Sequence, residues 1–383
     1  MVDFGDLVPD EAVFYDGRTG KEMHDGFMYD YARVYREVFE DQWGDDHVLY
    51  QRGGQAGCQK YVCQFGGDQP TTFYGMKQSI NGGLSVAASG LPFWGVDACG
   101  YDGHATADKE TYVRWTAWAC FCPIMRYHGT WPKEPWEYDA ATVEIYKYYA
   151  WLRENLLTYL YSEAIRTHMT GVPMMRVLSM EFPNDSSIEH VFDEYMFGES
   201  LLVAPVYSEK SDREIKFPAG TWVSLMDNGE IYSGCDRIVH KVVPLGEIPV
   251  YIRAGKVIPM EMNENLIPGT SMTKSRIKAL VFVLPEQDTE GTWFESSTER
   301  KSYCFTAMKN SMTFVAEGTW NYKYILVKGN TKKVRKLYLG EKSIIQYPAK
   351  QGLYFHQGWV RLDDDSIIIR VYPHDITRIR FEY

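Results

Sequence analysis

The periodicity of apolar positions changes once along the chain. Up to about residue 170, short apolar runs alternate with stretches at helical spacing; beyond it, short strand-like runs are parted by Gly, Pro and Asn turns. Over 23–40, Phe27, Tyr31, Val34 and Val38 recur at helical intervals and predict a helix with that stripe on one side. Strands are predicted at 47–50, 61–63, 90–94 and 121–127, with helices from Pro70 toward Ala88 and over 108–119 between them. Pro70 suits a first helical turn, where its missing N–H costs nothing. One long helix is predicted over 141–170, with Tyr146, Tyr149, Leu152, Leu156, Tyr159 and Leu160 on a stripe and a stop at Gly171.

Strand–helix alternation with crossovers of this length indicates an α/β barrel or a doubly wound sheet for 1–170. The later texture predicts two small β-sandwich domains, 171–260 and 261–383, with strands at 201–206, 214–217, 221–225, 239–244, 248–252, 277–284 and 366–371. The expected fold class is α/β followed by all-β.

Composition narrows the function. With 383 residues, 45% of them hydrophobic, the chain can bury two or three cores. A net charge of −11 without a long basic run argues against nucleic acid, and no apolar run reaches the roughly 18–20 residues of a membrane span. No leader opens the sequence, so the expected location is cytoplasmic. The seven cysteines, Cys58, Cys63, Cys99, Cys120, Cys122, Cys235 and Cys304, are odd in number and mostly set in apolar stretches, which favours reduced buried thiols. Cys120-Phe121-Cys122 lacks the spacing of a zinc knuckle, and no metal or cofactor is expected.

Polar residues follow each predicted strand: Arg52, Asp68, Asp97 and His128. Parallel α/β folds build their sites from the loops at strand C-terminal ends, so this placement is self-consistent. Gly66-Gly67-Asp68 is a glycine turn that would expose Asp68 to a ligand, and Val2-Asp3-Phe4-Gly5-Asp6 reads as a strand stub of the same style. Breaking a glycosidic bond with retention takes one carboxylate at the anomeric carbon and a protonated acid at the leaving oxygen, about 5–5.5 Å apart. Asp3 and Asp68 are of the right type, and Phe4, Phe65, Trp94 and Tyr101 could wall a sugar pocket. Each has a bland reading: aspartates after strands are ordinary caps, Arg52 a surface ion-pair partner, Asp97 a bonder of local amides, His128 a satisfied core histidine, and Trp94 and Tyr101 core aromatics. It is their common sheet edge that makes them a candidate site.

These segments resemble glycoside hydrolase family 31. Asp3-Phe4-Gly5 with Val8-Pro9, Asp16-Gly17 and Met23-His24 is similar to the nucleophile segment of its xylosidase-like branch. Arg52-Gly53-Gly54-Gln55 resembles its arginine motif, Gly66-Gly67-Asp68 its acid/base segment, and Phe93-Trp94-Gly95-Val96-Asp97 with Tyr101 the next strand and loop. Arg126-Tyr127-His128-Gly129 and Pro135-Trp136 resemble the last barrel strand, and the likeness runs on through Pro173-Met174-Met175-Arg176, Tyr195-Met196-Phe197-Gly198 and Leu202-Val203-Ala204-Pro205 to Ala254-Gly255. Asp6, Phe65 and Gly53 depart from the usual Glu, Trp and Ser.

The resemblance implies the C-terminal half of a (β/α)8 barrel and a retaining α-glycosidase of α-xylosidase or α-glucosidase type. Asp3 would be the nucleophile and Asp68 the acid/base, with Phe4, Arg52, Phe65, Trp94, Asp97, Tyr101 and His128 on the sugar. The implied partner is an oligosaccharide or small α-glycoside. Family members carry a β-sandwich and early barrel strands ahead of the nucleophile, so a chain with two residues there is expected to be weakly active alone, self-associating or complemented by a separate N-terminal half. The alternative is a non-catalytic carbohydrate-binding or structural remnant.

Overall fold

The computed structural model describes residues 1–103, 105–226, 230–233, 237–318, 321–354, 356–362, 365–372 and 378–383. Its first part is a parallel sheet of four strands in chain order: β1 (Tyr50–Arg52), β2 (Cys63–Phe65), β3 (Trp94–Asp97) and β4 (Ile124–Arg126). Val2 adds beside β1 through a parallel bridge to Gln51, with its N–H donating to Tyr50 O at 2.8 Å. The first three strands lie a few residues C-terminal to the apolar runs that predict them, and β4 falls inside its predicted run of 121–127. The ladder takes in Arg52 and Asp97, charged residues that apolar patterning assigns to loops, and Arg126, which the predicted fourth strand already contains.

Register sorts the side chains. Arg52 pairs with Phe65, Phe65 with Gly95, and Asp97 with Arg126. Tyr50, Arg52, Phe65, Asp97 and Arg126 therefore share one face, because successive side chains alternate across a sheet. Gln64, Trp94 and Val96 share the other.

Helix α1 (Gly20–Trp43) starts at a capping box in which the Thr19 hydroxyl accepts from Glu22 N–H and the Glu22 carboxylate accepts from Thr19 N–H. Its buried side is Met23, Met28 and Ala32, not the predicted stripe. Val34 and Val38 are about half exposed and, with Phe14, Phe27 and Tyr31, line an open groove of about 650 Å³. Helix α2 (Phe73–Ala88) is capped by Thr72, whose hydroxyl accepts from Gly75 N–H. It packs Gly83 against the buried Trp94, where an added Cβ would stand 2.6 Å from the indole. We expect Gly83→Ala to destabilise the chain by roughly 1–3 kcal/mol, read by chemical denaturation, since a rigid indole cannot yield to the new methyl.

Helix α3 (Lys109–Ala119) begins at the Asp108 cap. The predicted long helix is two, α4 (Ala140–Asn155) and α5 (Leu157–Thr170), joined at Leu156. The interruption is this one residue, which stays in the right-handed helical region, donates to Leu152 O at 3.0 Å and accepts from Leu160 N–H at 2.9 Å; beside it the fully buried Asn155 donates to Glu261 O and accepts from Gly269 N–H, both at 2.8 Å. Gly171 closes α5 in the left-handed conformation, as predicted.

Beyond Gly171 the sheets are mostly antiparallel. A six-stranded sheet runs in the order Ile231–Ser233, Thr221–Ser224, Val250–Arg253, Leu201–Val203, Tyr195–Phe197, Met175–Val177, beside a two-stranded ribbon of Arg237–Val242 and Asp212–Phe217. The distal part pairs a five-stranded and a six-stranded sheet over one core containing Phe282, Trp293, Phe305, Phe314, Ile369 and Phe381. Strand Val257–Met262 belongs to the five-stranded sheet, so the expected boundary at 260 falls inside a distal strand. A single buried cluster runs from Met76 through Tyr149 and Tyr159 to Val250 and Val281, tying the parallel sheet to both later parts.

Among the described residues no helix is long and apolar enough to cross a membrane. Cys58, Cys99, Cys120 and Cys122 are buried free thiols, and Cys63 and Cys304 are free and half-buried. Cys235 lies outside the described residues.

Candidate active site

Arg52, at the C-terminal end of β1, organises the site. Its Nε lies 3.2 Å from Asp3 Oδ1 and 3.5 Å from Asp6 Oδ1, and its Nη1 3.4 Å from Asp68 Oδ2. Three carboxylates from two loops thus meet one guanidinium whose fork can serve several acceptors. Gly67 makes room for it: φ is +78°, and a Cβ there would stand 2.9 Å from Arg52 Cδ. Arg52 also lies 4.6 Å above the Phe4 ring.

Asp3 follows the Val2 bridge directly and is held from two sides. Its backbone carbonyl accepts from Tyr31 Oη at 2.6 Å, and its carboxylate accepts from Phe4 N–H at 2.9 Å. Phe4 adopts φ +61°, a left-handed conformation that aromatic residues rarely take. Cys99, after β3, does the same at φ +69°. Backbone outliers of this kind collect where surrounding structure over-determines a functional loop.

Asp97 ends β3 with its side chain 1% exposed and is bound by Arg126, which donates to it through both Nε and Nη2, the latter at 3.0 Å. Burial pushes the Asp97 carboxyl up; Arg126 and His128 oppose that, and Asp68 adds to it. The Arg126 side chain then lies across the open face of the sheet, 4.9 Å from the Phe65 centroid and 4.6 Å from that of Tyr50, and reaches the Met1 sulfur at 2.7 Å. Phe65 and Tyr50 stack at 5.0 Å beneath it. Past β4, His128 packs on Tyr101 with ring centroids 5.1 Å apart.

Asp3, Phe4, Arg52 and Asp68 are therefore brought together, and Phe65, Asp97, Tyr101 and His128 line the same strand ends. Trp94 is not with them: it is 3% exposed, on the helix-covered face behind Gly66. The alternation that puts Phe65 on the site face puts its ladder neighbour Trp94 on the other.

Three residues were missed as site members. Asp6 is brought back to Arg52 by the Gly5 turn, and Arg126 is placed by strand alternation with Asp97. Lys133 is 9% exposed, its ammonium pushed down by burial, and its Nζ donates to Cys99 O at 3.1 Å beneath the Tyr101 loop. Strand alternation would have found Arg126; nothing local marks Lys133.

Residues 3–163 match the TIM-barrel domain of glycosyl hydrolases family 31, and residues 171–258 match that family's C-terminal domain. The chain belongs to glycoside hydrolase family 31. It is 32% identical over 278 residues to an isomaltosyltransferase of Sporosarcina globispora (69% of this chain, 25% of the relative). It is 31% identical over 268 residues to an α-xylosidase of Emericella nidulans (67% and 34%), and 32% identical over 280 residues to an α-glucosidase of Saccharolobus solfataricus (70% and 39%). It thus spans between a quarter and two fifths of these relatives' length. Its fold matches a cycloalternan-forming enzyme of Listeria monocytogenes with TM-score 0.89 over 99% of this chain and 38% of that one, at 24% identity. It also matches a Flavobacterium johnsoniae dextranase at TM-score 0.81, 97% and 50% coverage, and 21% identity.

Proposed function

We propose that this chain carries the catalytic carboxylates of a retaining α-glycoside hydrolase of α-glucosidase or α-xylosidase type, on half of a (β/α)8 barrel backed by two β-sandwiches. One observation carries the reading: Asp3 and Asp68, from different loops at neighbouring strand ends, both reach the Arg52 guanidinium. In this scheme an Asp3 carboxylate oxygen bonds the anomeric carbon while Asp68 gives its proton to the departing oxygen. Water then adds at that carbon, its proton passing to Asp68, and the Asp3 ester breaks with the α configuration restored. Arg52 orients both carboxylates, and the Asp97–Arg126 pair with His128 holds the glycone hydroxyls. The substrate class is a neutral α-linked oligosaccharide, in keeping with a relative solved with isomaltotriose.

A second reading, carbohydrate binding without catalysis, is favoured by the exposure of the pair, 33% for Asp3 and 46% for Asp68, since a proton donor at neutral pH works best when shielded from water. Nitrophenyl α-glucoside and α-xyloside decide between the two. Release of nitrophenol with the α anomer of the free sugar appearing first by proton NMR supports hydrolysis. Sugar binding without release supports the second reading.

A further inference from the structure

At the N-terminal ends of β1, β2 and β3, opposite to the ends that carry Arg52 and Asp68, lies a cavity of about 650 Å³ bounded by the last turns of α5 and by Ser297 of the distal sandwich. Its charged lining has one sign: Arg36 from α1, Lys60 from the turn Cys58–Lys60 and, when protonated, His47 and His168, with no carboxylate among the lining residues. The chain as a whole carries a net charge of −11, so such a wall is not what its composition supplies by default. Arg36 is engaged by Glu40 at 2.6 Å, but among the described residues no carboxylate pairs with Lys60 or His168, both exposed. His47 adds an unmet polar atom. Its Nδ1 lies 2.8 Å from Gly44 O, a carbonyl that can only accept, so Nδ1 carries the proton. Nε2 is buried and has no partner among the described residues. Buried polar atoms are normally satisfied, and an orphan on a cavity wall marks a place for a bound group. Tyr61 and Phe93, both half-buried, add flat apolar surface to the same wall, with Lys60 Nζ 5.2 Å from the Tyr61 centroid.

We propose that this cavity binds an organic phosphate monoester with a flat ring body, the class of the nucleoside monophosphates. The phosphate accepts from the Lys60 ammonium and the His168 ring, a ligand hydroxyl donates to His47 Nε2, and the ring lies against Tyr61 or Phe93. A neutral sugar would leave both uncompensated groups unanswered, and inorganic phosphate would leave the apolar wall in water. The volume is that of a small-molecule pocket, about 300–1,000 Å³. No lining residue belongs to the candidate active site, so the proposal stands apart from the functional reading above.

Calorimetric titration of the full chain at low salt with adenosine monophosphate, adenosine and inorganic phosphate tests the site. Adenosine monophosphate should bind on the order of tenfold more tightly than either of the others, as a charge-assisted contact added to a stacked ring requires. Lys60→Gln and His168→Gln should each remove most of that advantage, and Lys60→Arg should keep it. The two positions are exposed and sit on separate elements, so neither substitution opens the core and each checks the other. Raising the salt should weaken adenosine monophosphate and leave adenosine unchanged. Equal affinities for the three probes, no binding of adenosine monophosphate at millimolar concentration, or an advantage indifferent to both substitutions would overturn the proposal.

Discussion

Asp68→Asn is expected to lower turnover of an α-linked disaccharide by roughly 10²–10⁴-fold, the usual contribution of a positioned general acid. With a dinitrophenyl α-glycoside the first step should fall far less, because that leaving group departs without a proton. Added azide, which needs no general base, should then restore turnover and give the α-glycosyl azide. Asp3→Asn should stop both substrates, since no leaving group compensates for a missing nucleophile. The contrast between the two variants carries the assignment. Equal losses on both substrates for Asp68→Asn would move the acid elsewhere.

Arg126→Ala is expected to destabilise the chain at neutral pH by roughly 3–5 kcal/mol, because it strands the Asp97 carboxylate, whose side chain is only 1% exposed. The pH dependence follows from Asp97, whose folded pKa is already raised by burial and would rise further without its partner. A carboxyl with a raised folded pKa is disfavoured only when ionised. Its penalty is absent below the unfolded-state pKa and grows as pH rises through the folded one. Arg126→Ala should therefore lose most stability at neutral pH and recover as pH falls below that range. The double variant Arg126→Ala with Asp97→Asn should flatten the profile. Thermal melts between mildly acidic and neutral pH read both effects.

The alternation of elements was legible because it depends on local periodicity and caps; α3 begins where Asp108 announces it, whereas Pro70 stands ahead of α2 in a bridge to Asp102 and the helix starts only after the Thr72 cap. The first three site strands were displaced toward their N-terminal ends because apolar runs mark where a strand enters the sheet. The ladder itself continues into charged residues that point to the open face, as Arg52 and Asp97 do. Trp94 was misjudged for the related reason that an aromatic next to a site motif faces the site or the helix according to ladder parity, which a motif does not encode. The α1 stripe has the opposite lesson. Its period was right and its packed side was Met28 and Ala32, because which face of a helix is covered depends on what lies against it. The burial of Asn155 and the support from Lys133 rest on contacts distant in sequence, from Glu261, Gly269 and Cys99, and no local pattern carries them.

The most direct test of the central claim is covalent trapping with a fluorinated α-glucosyl or α-xylosyl fluoride, in which the glycosyl–enzyme ester forms and hydrolyses slowly. Intact mass should rise by one sugar, and peptide mapping should place it on Asp3, with no adduct on Asp3→Asn and a slower-decaying one on Asp68→Asn. A sugar found on another carboxylate, or an adduct that survives Asp3→Asn, would contradict the account.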